Sequence, residues 1–577
     1  MKTIQLSYGL GVNVPRVKFS LIALLFTGVL ATLVITPFIS LDPINMPKMF
    51  VVVSGASLLL PFIALEFKGL WKINRLTFFL SLTLIFFMAV ALFFNSAPRA
   101  DQFWGTWGRS TGYLTYIAFI VCMLTAAILA SKTEMPIIRK TFERVSYFIS
   151  GYALLQAGDL DPIEWSQRAM VATLGNINFM SSFLGLASIS FFSRLLMERI
   201  SATAKMYFFL LTLLNLYLIW LSGSIQGLGI FASGASMVVA MYMRNRWNAK
   251  LTTIWLFLVT PIGIAVFLGT AGFGPFSVLR QETVIFRRDY WLAGLRMTLD
   301  NWLNGVGIDS YGDFYQQYRD RDAVVRTGPQ RVTNTAHNIF LDVSSGAGVL
   351  AGIVFVAIFV ATLVLIYKMI KTGNFQSTDV AATGIFLGFV VFCLISINQI
   401  GVGVWGFIFM GYLQGSAVRQ KNEKVSREAG RLGRSATEKF NDPRLNLVTG
   451  MVTLMCGIAG FALGLAPVVT DAQMLSAVKG KDFGNMKEVA SKITATQAHK
   501  ERYLGLLLQE GRDAEAFEFA KKTLKSNPRS EIALRIIGSE ASAPKSLRIA
   551  SLQKLIERDP NNLEFTRYIQ GLIDALK

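Results

Sequence analysis

The chain has 577 residues, of which 53% are hydrophobic and 16% are charged, and its mean hydropathy is +0.47. This composition excludes an ordinary soluble domain and indicates a polytopic membrane protein. The formal net charge of +20 does not indicate a nucleic-acid partner, because most of the excess positive charge lies in short loops between apolar segments.

Apolar stretches recur along most of the chain, and they predict an all-α fold with about 13 transmembrane helices. The first stretch follows basic residues as in a signal peptide, but its length and the many later spans indicate an uncleaved helix. The three cysteines lie apart in apolar stretches, so they predict no disulfide and no zinc site. The predicted spans are about 19–40, 48–66, 76–95, 112–131, 142–157, 176–196, 204–221, 224–243, 251–270, 346–370, 380–397, 402–418 and 447–469.

Lysine and arginine are concentrated in alternate loops, a pattern that predicts orientation because cytoplasmic loops are enriched in these residues. The N-terminus is therefore expected in the cytoplasm and the C-terminus outside the cytoplasmic (inner) membrane. A long loop at about 271–345 and everything after 470 then face outward. The basic clusters lie at 2–18, 68–75, 132–144, 194–205, 244–250, 368–371 and 419–444. The other short loops carry only Lys48, Arg99, Arg109 and Arg168.

Residues 470–577 have the composition of a small helical domain, which follows a transmembrane core at 1–446 and a final transmembrane helix at 447–469. The sequence Lys525-Ser526-Asn527-Pro528 recurs about 32 residues later as Glu557-Arg558-Asp559-Pro560, a period that resembles tetratricopeptide-like repeats. Such repeats would form either a docking surface for a partner or acceptor, or a stabilising helical cap. His499 in this domain is expected at the surface.

The outward loop is rich in arginine and contains no lysine. Because the rigid guanidinium fork suits bidentate contacts with phosphate, this composition favours an anionic ligand such as a lipid-linked diphosphate. The alternative is charge balance with the acidic residues of the same loop. The arginines are Arg280, Arg287, Arg288, Arg296, Arg319, Arg321, Arg326 and Arg331.

His337, one of only two histidines, stands where the polar loop meets an apolar span. A neutral imidazole at a membrane edge can take a proton from a hydroxyl group near physiological pH. The alternative is a residue at a helix start whose ring bonds a neighbouring carbonyl. Upstream, residues 290–299 have apolar side chains at helical spacing, which predicts an amphipathic helix in the membrane interface. Its aromatic residues could stack on sugar rings, although anchoring is their more ordinary use.

Several short motifs follow one another in this region. They are Arg287 with Trp291, the turn Asn304-Gly305-Val306-Gly307, and Ala336-His337-Asn338 followed by Leu341, Asp342 and Gly348. Weaker elements upstream are Trp107-Gly108-Arg109-Ser110-Thr111-Gly112-Tyr113 and Thr173-Leu174-Gly175-Asn176-Ile177-Asn178-Phe179. The order of these motifs resembles that of the O-antigen ligase and polymerase superfamily, which includes protein O-oligosaccharyltransferases. The resemblance covers about 20–420, with its specific part at about 285–352.

The resemblance implies a GT-C-like glycosyltransferase that moves a glycan from undecaprenyl diphosphate to a hydroxyl acceptor at the outer face of the membrane, without a metal or other cofactor. By motif position, His337 would be the general base and Arg287 a diphosphate contact. Arg288 is an adjacent candidate, and Asn338 and Trp291 are further candidate substrate contacts. The acceptor would be a glycan, a lipid or a protein.

This chain departs from the family pattern at two places. Many members carry an arginine in the outward turn that is Ser222-Gly223-Ser224-Ile225-Gln226-Gly227 here, and Gly346 stands where an acidic residue is frequent. Arg109 and Arg168, on outward loops beside the weaker motifs, are therefore predicted to supply positive charge to the substrate site.

Several alternative functions stay open from the sequence. Within the same fold, the chain would be a polymerase that extends the glycan or a protein O-oligosaccharyltransferase. A transporter would place polar residues at mid-bilayer, whereas the spans here hold few charges. A scaffold would use the C-terminal repeats to gather envelope partners. A metal-dependent transferase would need a pair of acidic residues to bind the metal. Asp159-Leu160-Asp161 and Asp320-Arg321-Asp322 have that spacing, but two matches to so short a pattern are expected by chance.

Overall fold

The computed structural model describes residues 14–73, 75–163, 165, 169–270, 272–279, 282–428 and 443–577, and these residues form helices and turns without strands. The first part of the chain forms α1 (Val14–Leu33), α2 (Asn45–Leu65), α3 (Phe67–Ile73), α4 (Arg75–Phe94), α5 (Arg99–Trp104), α6 (Tyr113–Lys132), α7 (Pro136–Ala157), α8 (Ile177–Met197), α9 (Ala202–Leu221), α10 (Gln226–Arg246) and α11 (Ala249–Thr270).

The long loop that follows is itself helical, and it precedes four long helices and a C-terminal helical region. The loop helices are α12 (Glu282–Asp300), α13 (Tyr311–Tyr318), α14 (Arg321–Thr327) and α15 (Ile339–Ala347). The long helices are α16 (Val349–Thr372), α17 (Ser377–Ile395), α18 (Ile400–Glu428) and α19 (Pro443–Lys479). The C-terminal helices are α20 (Phe483–Ala490), α21 (Gln497–Gln509), α22 (Asp513–Ser526), α23 (Glu531–Ser539), α24 (Lys545–Arg558) and α25 (Leu563–Leu576).

Twelve of the described helices are long and apolar enough to cross a membrane, which confirms an all-α polytopic membrane fold. The remaining predicted span, 142–157, belongs to α7, whose first half carries charged side chains. The two buried charges are partnered: Glu143 Oε2 lies 2.6 Å from Arg194 Nη2, and Arg139 pairs with Glu198. Lys140 and Arg144 are exposed. Because its buried charges have opposite partners, α7 packs among the apolar helices despite its composition.

Helix α18 packs against α6 at the centre of the helix bundle, with almost all of its apolar length buried. Two glycines of α18 allow the close approach. A Cβ atom on Gly411 would lie 2.0 Å from the carbonyl oxygen of Met123, and one on Gly415 would lie 2.1 Å from that of Ala127. Small residues four apart are a common device for bringing membrane helices together, so any larger side chain at either glycine would force α18 away from α6.

The C-terminal helices are arranged in pairs with a constant offset. Helices α22 and α24 begin at Asp513 and Lys545, and α23 and α25 begin at Glu531 and Leu563, an offset of 32 residues in both cases. This equals the period of the predicted repeat, whose tetratricopeptide-like character stays a prediction. Helix α19 runs continuously into this region through the boundary expected at 469–470.

The expectation that His499 lies at the surface is wrong, since its side chain is only 1% exposed. Its Nδ1 accepts the backbone N–H of Thr496 at 3.1 Å, and its Nε2 lies 2.9 Å from Asp471 Oδ1. Asp471 belongs to α19 and also accepts the backbone N–H of Asp42 and the indole N–H of Trp107. His499 therefore helps to fasten the C-terminal region to the ends of the membrane helices.

Candidate active site

His337 is held by hydrogen bonds at the start of α15. The side-chain oxygen of Asn338 accepts the backbone N–H groups of Phe340 and Leu341, which makes Asn338 the N-cap of the helix. Asp342, one turn into α15, reaches back and accepts the backbone N–H of Ala336 at 2.8 Å. Between these two anchors, His337 adopts a left-handed backbone with φ of +54°. A non-glycine residue persists in that conformation only when its surroundings enforce it, as they do at many functional sites.

The His337 ring is partly exposed and stacks on Tyr290 of α12, with ring centres 5.4 Å apart. Burial, together with the nearby positive charges of Arg287 and Arg109, lowers the pKa of His337 to about 3. The imidazole is therefore neutral around pH 7 and has a free lone pair for a proton. The two predicted arginines lie within electrostatic reach of this one ring.

Arg287 lies on α12, one helical turn before Tyr290. Its Nη2 donates to Gln226 Oε1 at 3.4 Å, and Gln226 Nε2 in turn donates to Ser182 Oγ at 2.8 Å. Burial lowers the pKa of Arg287, and none of the ion pairs formed within the described residues includes it. Its guanidinium is therefore a partly buried cation that contacts a neutral amide, an arrangement suited to receive an anion.

The contact between Arg287 and Gln226 lies at the turn 222–227, where the family that the sequence resembles often has an arginine and this chain has none. Gln226 is the first residue of α10 and belongs to that turn. Arg287 thus brings a guanidinium from the long loop to the place where other members carry one on the turn itself. Sequence reasoning did not assign Gln226 a role, because the contact joins residues 61 positions apart.

Arg109 has a different environment, since it is 6% exposed and surrounded by acceptors. Its Nε lies 3.1 Å from Asp309 Oδ1, and its Nη2 lies 3.9 Å from Asp342 Oδ2. Its Nη1 donates to Asn334 Oδ1 at 3.4 Å. Burial raises the pKa of both Asp309 and Asp342. The charge of Arg109 is thus already matched by carboxylates, so Arg109 ties its own loop to the segment that carries His337.

The other predicted site residues lie around this arrangement. Arg288 is exposed on α12, next to Arg287. Trp291 stacks on Phe267 of α11 with ring centres 6.4 Å apart, and its buried indole N–H has no hydrogen-bond partner within the described residues. Arg168 lies outside the residues that the structure describes.

One carboxylate of each acidic pair considered as a metal ligand has local structural partners. Asp320 Oδ1 accepts the backbone N–H of Ala323 as the N-cap of α14, and Asp320 Oδ2 lies 3.2 Å from Arg296 Nη2. Asp161 accepts hydrogen bonds from Tyr152 and Gln156. Each of these carboxylates therefore stabilises the fold near its own position.

The segment that carries this arrangement matches a known family. Residues 207–356, from α9 to the first part of α16, match the family model described as O-antigen ligase. The match supports the O-antigen ligase superfamily for this segment of the chain. It includes Arg287, Gln226 and His337, whereas Arg109 lies outside it. O-antigen ligases are lipid-linked glycan transferases, so the match favours an integral membrane enzyme of the glycosyltransferase type. No curated protein matches the chain.

Proposed function

We propose that this protein, whose residues 207–356 match the O-antigen ligase model, transfers a glycan from a polyprenyl diphosphate, such as undecaprenyl diphosphate, to a hydroxyl acceptor at the outer face of the cytoplasmic membrane. The observation that carries the proposal is the neutral imidazole of His337 beside Arg287, a partly buried guanidinium outside the ion pairs of the described residues. A glycan transfer of this kind needs one group that takes a proton and one that stabilises the phosphate charge.

The two residues divide the reaction between them. His337 accepts the proton of the acceptor hydroxyl while that oxygen forms a bond to the anomeric carbon of the donor. The bond from this carbon to the diphosphate oxygen breaks, and the electron pair leaves with the diphosphate, whose charge Arg287 stabilises. The proton on His337 then passes to solvent or to the released diphosphate, which returns the imidazole to its neutral form.

The low pKa of His337 in the free protein has a consequence for this mechanism. A base with a pKa of about 3 is weak, and part of its weakness comes from the charge of Arg287. A diphosphate bound to Arg287 would offset that charge and add a negative field, so the pKa of His337 would rise when the donor is present. The base would thus become stronger only with the donor in place.

Arg109 is assigned a positioning function in this proposal. Two carboxylates already balance its charge, and a diphosphate would have to compete with both of them. Arg288 is assigned as a second contact to the diphosphate, because its side chain is exposed beside Arg287.

Transfer from a purified lipid-linked donor tests the proposal. The wild-type protein should convert the donor, and His337→Ala should lose at least about a hundredfold in rate, the contribution expected of a general base. Full transfer by His337→Ala would end the general-base assignment. The mass of the product would then identify the acceptor, since a ligase, a polymerase and a protein O-oligosaccharyltransferase add the glycan to a lipid, to another glycan and to a polypeptide respectively.

A further inference from the structure

Helix α13 stands between the His337 site and the C-terminal helices. On the side of the site, the hydroxyl of Tyr311 donates to the backbone oxygen of Tyr290 at 2.6 Å, and Tyr290 stacks on His337. Tyr315, one turn further along α13, contacts the edge of Tyr290, with ring centres 5.6 Å apart. The position of α13 therefore fixes the aromatic ring against which His337 rests.

The opposite side of α13 is bound by the C-terminal helices. Arg558 at the end of α24 donates from Nε to Gln316 Oε1 at 3.1 Å. Asn561, just after α24, donates from Nδ2 to the backbone oxygen of Arg319 at 2.7 Å. These contacts join residues more than 240 positions apart in the chain, so the C-terminal region acts directly on the outward loop.

Arg319 joins three parts of the molecule at one point. Its side chain is fully buried, with Nη2 at 2.7 Å and Nε at 3.3 Å from the two carboxylate oxygens of Asp559. The same guanidinium donates to the backbone oxygens of Pro329 at 3.0 Å and Arg331 at 3.1 Å. Those carbonyls belong to the segment that leads into His337, so Arg319 holds this segment and Asp559 holds Arg319.

We propose that the C-terminal helices position the catalytic histidine through the Arg319–Asp559 ion pair. This inference rests on the proposed function, in which His337 must be held accurately against the reacting hydroxyl. A buried guanidinium that bonds a carboxylate and two carbonyls has one satisfactory geometry, because any shift leaves a buried charge or carbonyl without its partner. The C-terminal region thus contributes positioning residues to a reaction carried out on another part of the chain, whether or not it also binds an acceptor.

The test uses the full-length protein in lipid nanodiscs with the variant Asp559→Asn, which keeps the size of the side chain and removes its charge. We expect faster hydrogen exchange at the backbone amides of 330–337 and a fall in kcat of about 10- to 100-fold, as displacement of a reacting group produces. The affinity for the lipid-linked donor should stay the same, because Arg287 is not part of this contact. The matched control is Asp574→Asn on α25, an exposed carboxylate that contacts only its own helix end, and it should change neither quantity.

A second variant covers the case in which Asp559→Asn does not fold. Arg319→Lys keeps the charge beside Asp559 but lacks the planar fork that reaches the carboxylate and both carbonyls together, so the amides of 330–337 should again exchange faster. Unchanged exchange in both variants, or unchanged kcat with faster exchange, would overturn the proposal. If the wild-type protein transfers no glycan, the proposed function fails; exchange is measured without turnover, so faster exchange in the variants would still support the anchoring of the loop.

Discussion

The two arginines near His337 have opposite environments. Arg109 lies beside the carboxylates of Asp309 and Asp342, whereas Arg287 hydrogen-bonds to the neutral amide of Gln226 and forms no ion pair within the described residues. Both lower the pKa of the same imidazole. We infer that a carboxylate partner separates two uses of positive charge near the site: Arg109 stabilises the surrounding fold, and Arg287, in the function that we propose, binds the substrate.

The largest expected effect comes from removing the paired arginine. Arg109→Met would leave Asp309 and Asp342 buried without their cation, and breaking such a pair costs about 3–5 kcal/mol of stability. The melting temperature of the purified protein should fall accordingly. Arg99→Met, at an exposed arginine of α5, is the control and should change it little. An unchanged melting temperature for Arg109→Met, with donor binding lost, would reverse the roles that we assign to the two arginines.

Removing the unpaired arginine should give the complementary result. Arg287→Gln should lower the transfer rate by about 100- to 1000-fold, the effect of deleting one group that stabilises transition-state charge. The free energy of unfolding should change by no more than about 0.5 kcal/mol, since no ion pair is broken. Arg296→Gln on the same helix is the control, because Arg296 is exposed and pairs with Asp320. A large loss of stability in Arg287→Gln without a change in rate would contradict the comparison.

The contrast between paired and unpaired buried charges also predicts how stability depends on pH, because Asp101 is a buried carboxyl group near other acidic residues. Burial, together with the negative charge of the neighbouring Asp313, raises the pKa of Asp101 to about 8, although the backbone hydrogen bond from Gln497 and the charge of Lys500 oppose the shift. Burial also raises the pKa of Asp313 and Glu501. These groups are protonated in the folded protein at acidic pH, so their stabilising contribution is complete below the unfolded pKa of about 4.

This contribution to stability is lost as the pH rises through the raised pKa values of these groups. Most of the contribution of Asp101 is lost by about pH 8. Between pH 6 and pH 9 the melting temperature should therefore fall by about 3 °C or more, the shift that one kcal/mol produces in a large domain. Asp101→Asn should flatten this dependence, because the amide still accepts the backbone N–H of Gln497 and carries no charge. A melting temperature that rises over the same range would refute this assignment.

The smallest expected effect concerns the contact that supports the stacked ring. Tyr311→Phe removes the hydroxyl that bonds the backbone oxygen of Tyr290, which should cost about 1 kcal/mol. We expect a fall in kcat of several-fold with an unchanged KM for the donor, because only the support of His337 is altered. Tyr568→Phe, an exposed tyrosine of α25, should leave both constants as in the wild type. A change confined to KM would place Tyr311 at the donor instead.

The sequence predicted the features that depend on local pattern. Twelve of the thirteen predicted apolar spans correspond to helices long and apolar enough to cross a membrane, whereas the roles of His337 and Arg287, assigned from the order of short motifs, stay predictions. The partners of Arg109 were not found, because Asp309 lies 200 residues away in the chain. The same holds for His499, whose partner Asp471 belongs to a different helix. Hydrophobic pattern and motif spacing locate elements and candidate residues, but they do not reveal which buried charges meet.

The most direct test of the account is the protonation of His337 itself, followed by nuclear magnetic resonance of isotope-labelled imidazole rings. The chain has two histidines, and His337→Ala identifies the signal of His337 by its loss. We predict a ring that stays neutral down to about pH 4 in the free protein and a pKa that rises when the polyprenyl-diphosphate donor is added. A ring that titrates near its ordinary pKa of about 6.5, with or without donor, would contradict the claim that Arg287 and the donor together control the base.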